Sequence, residues 1–163
     1  MIIASQQFRD EELLVPKAYF EENGYTVTIA SSSLQPSKGM LGAVVQPQIL
    51  LKEVKVEDYA VVIFVGGYGA NEYWDNPLAH KVAQKTLEAG KILAAICIAP
   101  VTLARAGLLK GKKATVWNSE GNQLKEHGAL LSFQDVVQDG KIITASGPEA
   151  AQQFAKTIMG SLN

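Results

Sequence analysis

Apolar runs alternate along this chain with segments whose apolar positions recur every three or four residues, a pattern that predicts strands separated by helices. Ile2-Ile3-Ala4 reads as a short first strand. From Asp10 to Glu22, residues Leu13, Leu14, Ala18 and Phe20 fall at helical steps, and Asn23-Gly24 ends that helix. Tyr25 to Ala30 is rich in β-formers and stops at Ser31-Ser32-Ser33. Residues 34–47 hold Pro36, Gly39, Gly42 and Pro47, so an irregular excursion with a small hairpin is expected. Ala60 to Val65 is apolar at every position, the mark of a strand covered on both faces. A helix over Pro77–Ala89 closed by Gly90, a second buried strand over Lys91–Ile96 and a helix to about Ala106 follow. Ala114–Val116 is a short strand and Glu120–Glu126 a helix. The tail, Ala129 to Ala145, predicts a strand pair turning at Asp139-Gly140, before a last helix from Gly147-Pro148-Glu149 to Met159.

Strands alternating with helices imply an α/β domain with a mostly parallel sheet covered on both faces. In open sheets of that kind ligands bind beyond the carboxyl ends of the strands. Cys97, Gly66-Gly67 and the segment Ser5 to Glu12 all follow strands, so all belong to that rim. No repeat, linker or low-complexity stretch divides residues 1–163, which predicts a single domain.

Composition narrows the function classes. Lys plus Arg number 15 against 16 Asp plus Glu, so no net field recruits nucleic acid or acidic lipid. No apolar stretch approaches the roughly 18 residues of a membrane span. One cysteine excludes an internal disulfide and suits a reducing cytoplasm. With two widely separated histidines, it shows no metal-ligand spacing, and no cofactor is expected.

That cysteine, Cys97, sits between the apolar run Ile92–Ile96 and a helix-like stretch, a position that lifts a thiol out of the backbone at a helix N-terminus. The expectation is a thiol pKa below the free value of about 8.5, although a lone cysteine taken alone is more often a small buried hydrophobe. Gly66-Gly67 closes the strand before it and can turn a backbone N–H inward; the amide of Ile98 would complete an oxyanion pair. Of the acids Asp10, Glu11 and Glu12, Asp10 suits a helix cap, while Glu12 lies nearest the apolar face and can turn toward the thiol. Beside a thiolate its carboxyl would keep a proton. His80 and His127 read as helix residues, and Ser119 as a cap. Tyr73 and Trp74 are candidates for core or subunit contacts, and Trp117 for a wall of the pocket.

The stretches Phe8-Arg9-Asp10-Glu11-Glu12-Leu13, Val62-Ile63-Phe64-Val65-Gly66-Gly67 and Ala94-Ala95-Ile96-Cys97-Ile98-Ala99-Pro100 together resemble the ThiJ/PfpI superfamily. The resemblance covers nearly the whole chain. It implies a flavodoxin-like three-layer sandwich with a cysteine nucleophile elbow, assembled as a homodimer or higher oligomer. It also implies Cys97 as nucleophile or redox thiol, Glu12 as its proton-sharing partner, and Gly67 with Ile98 as oxyanion donors. Two positions depart from the pattern. Ile98 stands where hydrolase-like members carry His, and Trp117 where many deglycase-like members carry His or Tyr. The usual base beside the thiol is absent unless a second subunit supplies one.

The leading expectation is a cysteine-dependent enzyme acting on small reactive carbonyls, of glyoxalase or deglycase type. A redox-sensing or stress-protective protein using the same cysteine is the competing class, and a PfpI-type hydrolase or peptidase the third.

Overall fold

A computed structural model describes residues Met1–Asn163. Helix α1 spans Asp10–Glu22. Four two-residue strands follow: β1 (Ala30–Ser31), β2 (Ser37–Lys38), β3 (Val44–Val45) and β4 (Ile49–Leu50). Then come β5 (Val61–Phe64), α2 (Pro77–Glu88), β6 (Ile92–Ile96), α3 (Pro100–Arg105), β7 (Lys113–Ala114), α4 (Gly121–Glu126) and β8 (Leu130–Leu131). The chain closes with β9 (Val136–Asp139), β10 (Ile142–Ala145) and α5 (Ala151–Leu162).

The main sheet has the order β5-β6-β10-β9, parallel except for the antiparallel edge pair β10-β9. Ile2 extends it by bridging to Phe64 on one side and to Ala30 on the other, where β1 pairs in parallel with β4. Side-chain alternation splits the core in two. Val62, Phe64, Leu93, Ala95 and Ile142 face one layer with Ala79, Val82, Leu103 and Leu124 of α2, α3 and α4. Ile63, Ala94, Ile96 and Ile143 face the other, with Phe20 of α1 and Phe154, Ala155 and Ile158 of α5. Continuous apolar runs in β5 and β6 thus have a physical cause, because both faces are buried. The result is the expected α/β three-layer sandwich.

Some elements differ from expectation. The predicted strand Tyr25–Ala30 makes ladder bonds only at Ala30–Ser31, and β4, its partner, is too short to show a period in the sequence. The hairpin forms at β2-β3. Asp10 does not cap α1: its carboxylate accepts from the amides of Leu41 (3.0 Å) and Ala43 (2.8 Å) and pins that hairpin to the helix start. Leu130–Leu131 pairs in parallel with β7 rather than within the tail hairpin, which turns at Gly140 with φ 60°. No helix is long and apolar enough to cross a membrane.

Candidate active site

Cys97 follows the last residue of β6 and adopts φ 64°, a conformation costly for any residue with a Cβ. Its main chain is held on both sides. The Cys97 amide donates to the Ala145 carbonyl at the end of β10 (2.9 Å), and its own carbonyl accepts from the Trp117 amide (2.8 Å). These bonds fix the strained turn and leave the thiol at the carboxyl edge of the sheet. Neighbouring β5 ends one residue before Val65-Gly66-Gly67, so the two glycines face the same edge.

Gly66 is required by space. A Cβ there would lie 2.5 Å from Cys97 Cβ, 2.7 Å from the Ile96 carbonyl oxygen and in collision with Glu12 Oε2. Gly67 has φ 102°, and a Cβ on it would collide with the backbone of Phe8 and Arg9. Two glycines therefore let the Glu12 carboxyl, the Cys97 side chain and the 7–9 backbone converge. The Arg9 amide donates to the Gly66 carbonyl (3.0 Å) and ties the start of α1 to that point.

Glu12 is fully buried, pointing inward from α1. Neither carboxyl oxygen makes a hydrogen bond of ordinary geometry. The polar groups acting on it at longer or more bent contacts are the Cys97 thiol and the Gly66 amide. Burial pushes its pKa up to about 8, against the opposing pull of those groups and of the Arg9 charge. Cys97 is pushed up as well, to about 12, first by burial and then by the Glu12 charge; the amides of Gly67 and Ile98 pull the other way. Burial beside Glu12 thus acts against the lowering of the thiol pKa expected from the helix N-terminus. Helix α3 has only six residues, too short a dipole to offset burial beside an acid, and its contribution reduces to local amides.

Of the residues singled out from sequence, Cys97, Glu12, Gly67 and Ile98 converge on the sulfur, whereas the Gly66 amide acts on the Glu12 carboxyl. Trp117 stands beside them, 41% exposed, its ring packed on Gly147, where a Cβ would approach to 2.8 Å. It walls a cavity of about 510 Å³ shared with Arg9, Asn118, Phe133, Asp135 and Glu149. The thiol is not part of that lining; the cavity adjoins the site through Trp117, whose amide bonds the Cys97 carbonyl, and through Arg9. Arg9 borders both: its guanidinium grips Glu11 through two bonds of 2.7 and 3.1 Å and lies close enough to act on Cys97 and Glu12.

No imidazole takes part. The His80 ring nitrogen Nε2 bonds the Trp74 carbonyl, the His127 ring bonds the Gln123 carbonyl, and Ser119 bonds Glu120 at the surface. Tyr73 is not a surface aromatic: its buried hydroxyl donates to the Ile3 carbonyl (2.7 Å) and accepts from the Ser32 amide. Half-buried Trp74 donates to the Ile98 carbonyl (3.1 Å). Of the two alternatives, core or subunit contact, Tyr73 takes the core and Trp74 is only partly exposed; the exposed aromatics are Tyr25, Tyr68, Trp117 and Phe133. Sequence reasoning passed over Arg9, Phe133 and Gly147, whose roles depend on contacts between distant segments.

With this geometry in view, the comparisons with known proteins decide the family. The profile of the DJ-1/PfpI family matches residues 1–161. The chain belongs to the DJ-1/PfpI family. An uncharacterised protein of Methanocaldococcus jannaschii is 39% identical over 165 residues, covering 99% of this chain and 80% of that protein. A deglycase of Thermococcus kodakarensis is 30% identical over 148 residues, 91% of this chain and 89% of the relative. A glutathione-independent glyoxalase of Caenorhabditis elegans is 26% identical over 162 residues, covering 99% and 87%. Among solved structures, a ThiJ/PfpI domain protein from Brachyspira murdochii superposes with a TM-score of 0.97 at 31% identity, covering 99% of this chain and 94% of that one.

Proposed function

We propose that this DJ-1/PfpI member is a cysteine-dependent enzyme acting on small reactive carbonyls, of glyoxalase or deglycase type, working as a single domain. The observation that carries the reading is the convergence of the Glu12 carboxyl and the Cys97 thiol on Gly66, with the Gly67 and Ile98 amides at the sulfur. The names of the glyoxalase and deglycase relatives support it.

A thiol held protonated by burial needs its base at the moment of attack. Glu12, at about 8, is matched to that task near neutral pH. As sulfur bonds to the aldehyde carbon, the carbonyl electron pair moves to oxygen, where the two amides receive it, and the thiol proton passes to Glu12. Glu12 returns that proton to the oxygen, giving a hemithioacetal. With an α-oxoaldehyde, Glu12 then moves the proton of the former aldehyde carbon to the adjacent carbon, while the hydroxyl proton on the former aldehyde oxygen passes to the neighbouring carbonyl oxygen, which becomes the 2-hydroxyl. The resulting thioester reacts with water to release a 2-hydroxy acid and regenerate the thiol. No external oxidant or reductant is consumed.

A second copy of the chain, in a cytoplasmic homodimer or higher oligomer, completes this reading. Met40, Leu41 and Val44 of the hairpin and Tyr68 are exposed apolar groups, joined where the Tyr68 amide meets the Met40 sulfur at 3.3 Å.

The test is methylglyoxal turnover with lactate as product. Wild type turns over, Cys97→Ala is inactive, and Glu12→Gln falls roughly 10²–10⁴-fold. Absence of turnover in wild type, with peroxide converting Cys97 to its sulfinate, would replace the enzyme by a redox-sensing protein.

A further inference from the structure

The two amides at the sulfur come from segments far apart in sequence, and one side chain straps those segments together. Gly67 opens a helical turn over Tyr68–Tyr73 that delivers Trp74, while Ile98 follows Cys97 in the elbow. The Trp74 indole N–H donates to the Ile98 carbonyl at 3.1 Å, across 24 residues. That carbonyl already accepts from the Val101 amide at 3.2 Å, so the indole is its second donor and comes from outside the elbow.

Trp74 is itself held from three directions. The Arg105 guanidinium lies 5.0 Å from the ring centroid, a cation–π arrangement. Arg105 is fixed there by Asp75 (2.6 Å) and Gln123 (3.1 Å). The Trp74 carbonyl is bonded by the His80 ring at 2.7 Å, and Tyr73, one residue earlier, is anchored in the core through its hydroxyl. An indole this constrained fixes the direction of the Ile98 main chain relative to Gly67. Trp74 does not line the cavity, and none of its hydrogen bonds is with Cys97 or Glu12.

We infer that Trp74 is a positioning residue of this site: its indole N–H sets the spacing and aim of the Gly67 and Ile98 amides at the Cys97 sulfur. Its effect on turnover rests on the function proposed above; its effect on thiol chemistry does not. Oxyanion donors contribute only when they already point where charge develops, so loosening their frame weakens transition-state stabilisation and leaves substrate binding alone.

The experiment compares wild type with Trp74→Phe, which keeps a ring and removes the N–H. A benzothienylalanine at position 74, isosteric with Trp but without the donor, keeps the ring over Arg105 if the phenyl packs poorly. Arg105→Gln serves as the variant that retains the indole donor. The readouts are methylglyoxal kcat and KM, the pH profile of Cys97 alkylation by iodoacetamide, and the melting temperature. Both position-74 variants are expected to lower kcat about tenfold, the size of one well-placed hydrogen bond, with KM within about twofold. Their alkylation profiles move to higher pH, because one amide that favours the thiolate is no longer held in place, while Arg105→Gln shifts less. An unchanged kcat and alkylation profile in the isostere overturns the inference. So does a loss that follows the folded fraction alone, or one that falls on KM. If wild type shows no carbonyl turnover, the proposed function fails, and the alkylation profile still decides the role of Trp74.

Discussion

Two regions meet at the carboxyl edge of the sheet and are built on opposite principles. Around Gly66 everything is closed: Glu12 is fully buried, Cys97 is strained, and one added methyl group has no room. On the other side of Trp117 and Arg9 lies an open cavity, with Phe133 89% exposed and the acids Asp135 and Glu149 in its lining. The dry region sets acidity, since removing water from a carboxyl and a thiol raises both pKa values. The wet region sets only what can approach. Reactivity is therefore expected to be intolerant of change in the first region and adjustable in the second.

The largest effect that would break this contrast concerns the thiol proton. Glu12→Gln keeps the shape of the dry pocket and removes the group proposed to take the thiol proton, so turnover is expected to drop roughly 10²–10⁴-fold. The same change removes the negative charge that helps hold the thiol up, so the Cys97 alkylation midpoint moves down in pH relative to wild type, while Glu11→Gln leaves it in place. A Glu11→Gln variant that shifts the midpoint as far as Glu12→Gln would show that the two acids act on sulfur alike.

Gly66→Ala comes next. The new methyl meets Cys97 Cβ, the Ile96 carbonyl and the Glu12 carboxyl, none of which can withdraw without disturbing β6 or α1. A loss of roughly 1–3 kcal/mol is expected, as for other overpacked cores, read as a fall in the denaturant midpoint. Thermal melts of wild type and Gly66→Ala that coincide would mean the pocket is looser than its geometry.

A smaller effect follows from pH. Glu12 ionises near 4.5 when exposed and near 8 in the fold, so the unfolded chain binds fewer protons between those values. Its contribution to stability is fully present below about 4.5 and is lost as pH rises through about 8. Wild type should therefore melt lower at pH 8 than at pH 5.5, by several degrees beyond Glu12→Gln, whose neutral amide does not titrate. Parallel melting curves for the two proteins across that range would remove the buried carboxyl from the account.

The smallest effects belong to the open side. Phe133→Ala should leave stability within about 0.5 kcal/mol, as is usual for an exposed site, and change only KM. Trp117→His should raise carbonyl turnover modestly by placing an imidazole next to the elbow. A kcat collapse in Phe133→Ala would move the reacting point out of the dry pocket and into the cavity.

Much of this protein is determined by local sequence. The all-apolar runs at Val61–Phe64 and Ile92–Ile96 point to strands covered on both faces, and the helix-forming segments between them to the covers. Cys97 and Gly66-Gly67 are legible because a lone thiol and paired glycines directly after such strands must lie at one edge. That Glu12 could turn toward them was also legible from its place beside Leu13 and Leu14. What the tertiary structure alone decided is the chemistry of the thiol. Its acidity depends on how much water is removed and which charge is buried with it, quantities set by α1 packing against Gly66 rather than by the elbow. The same holds for Asp10, whose side chain holds the hairpin instead of capping its helix, for Tyr73, which anchors in the core, and for Trp74, which reaches the Ile98 carbonyl. Polar tips find partners across tens of residues because burial makes an unpaired donor costly, and no local pattern records which partner will be there.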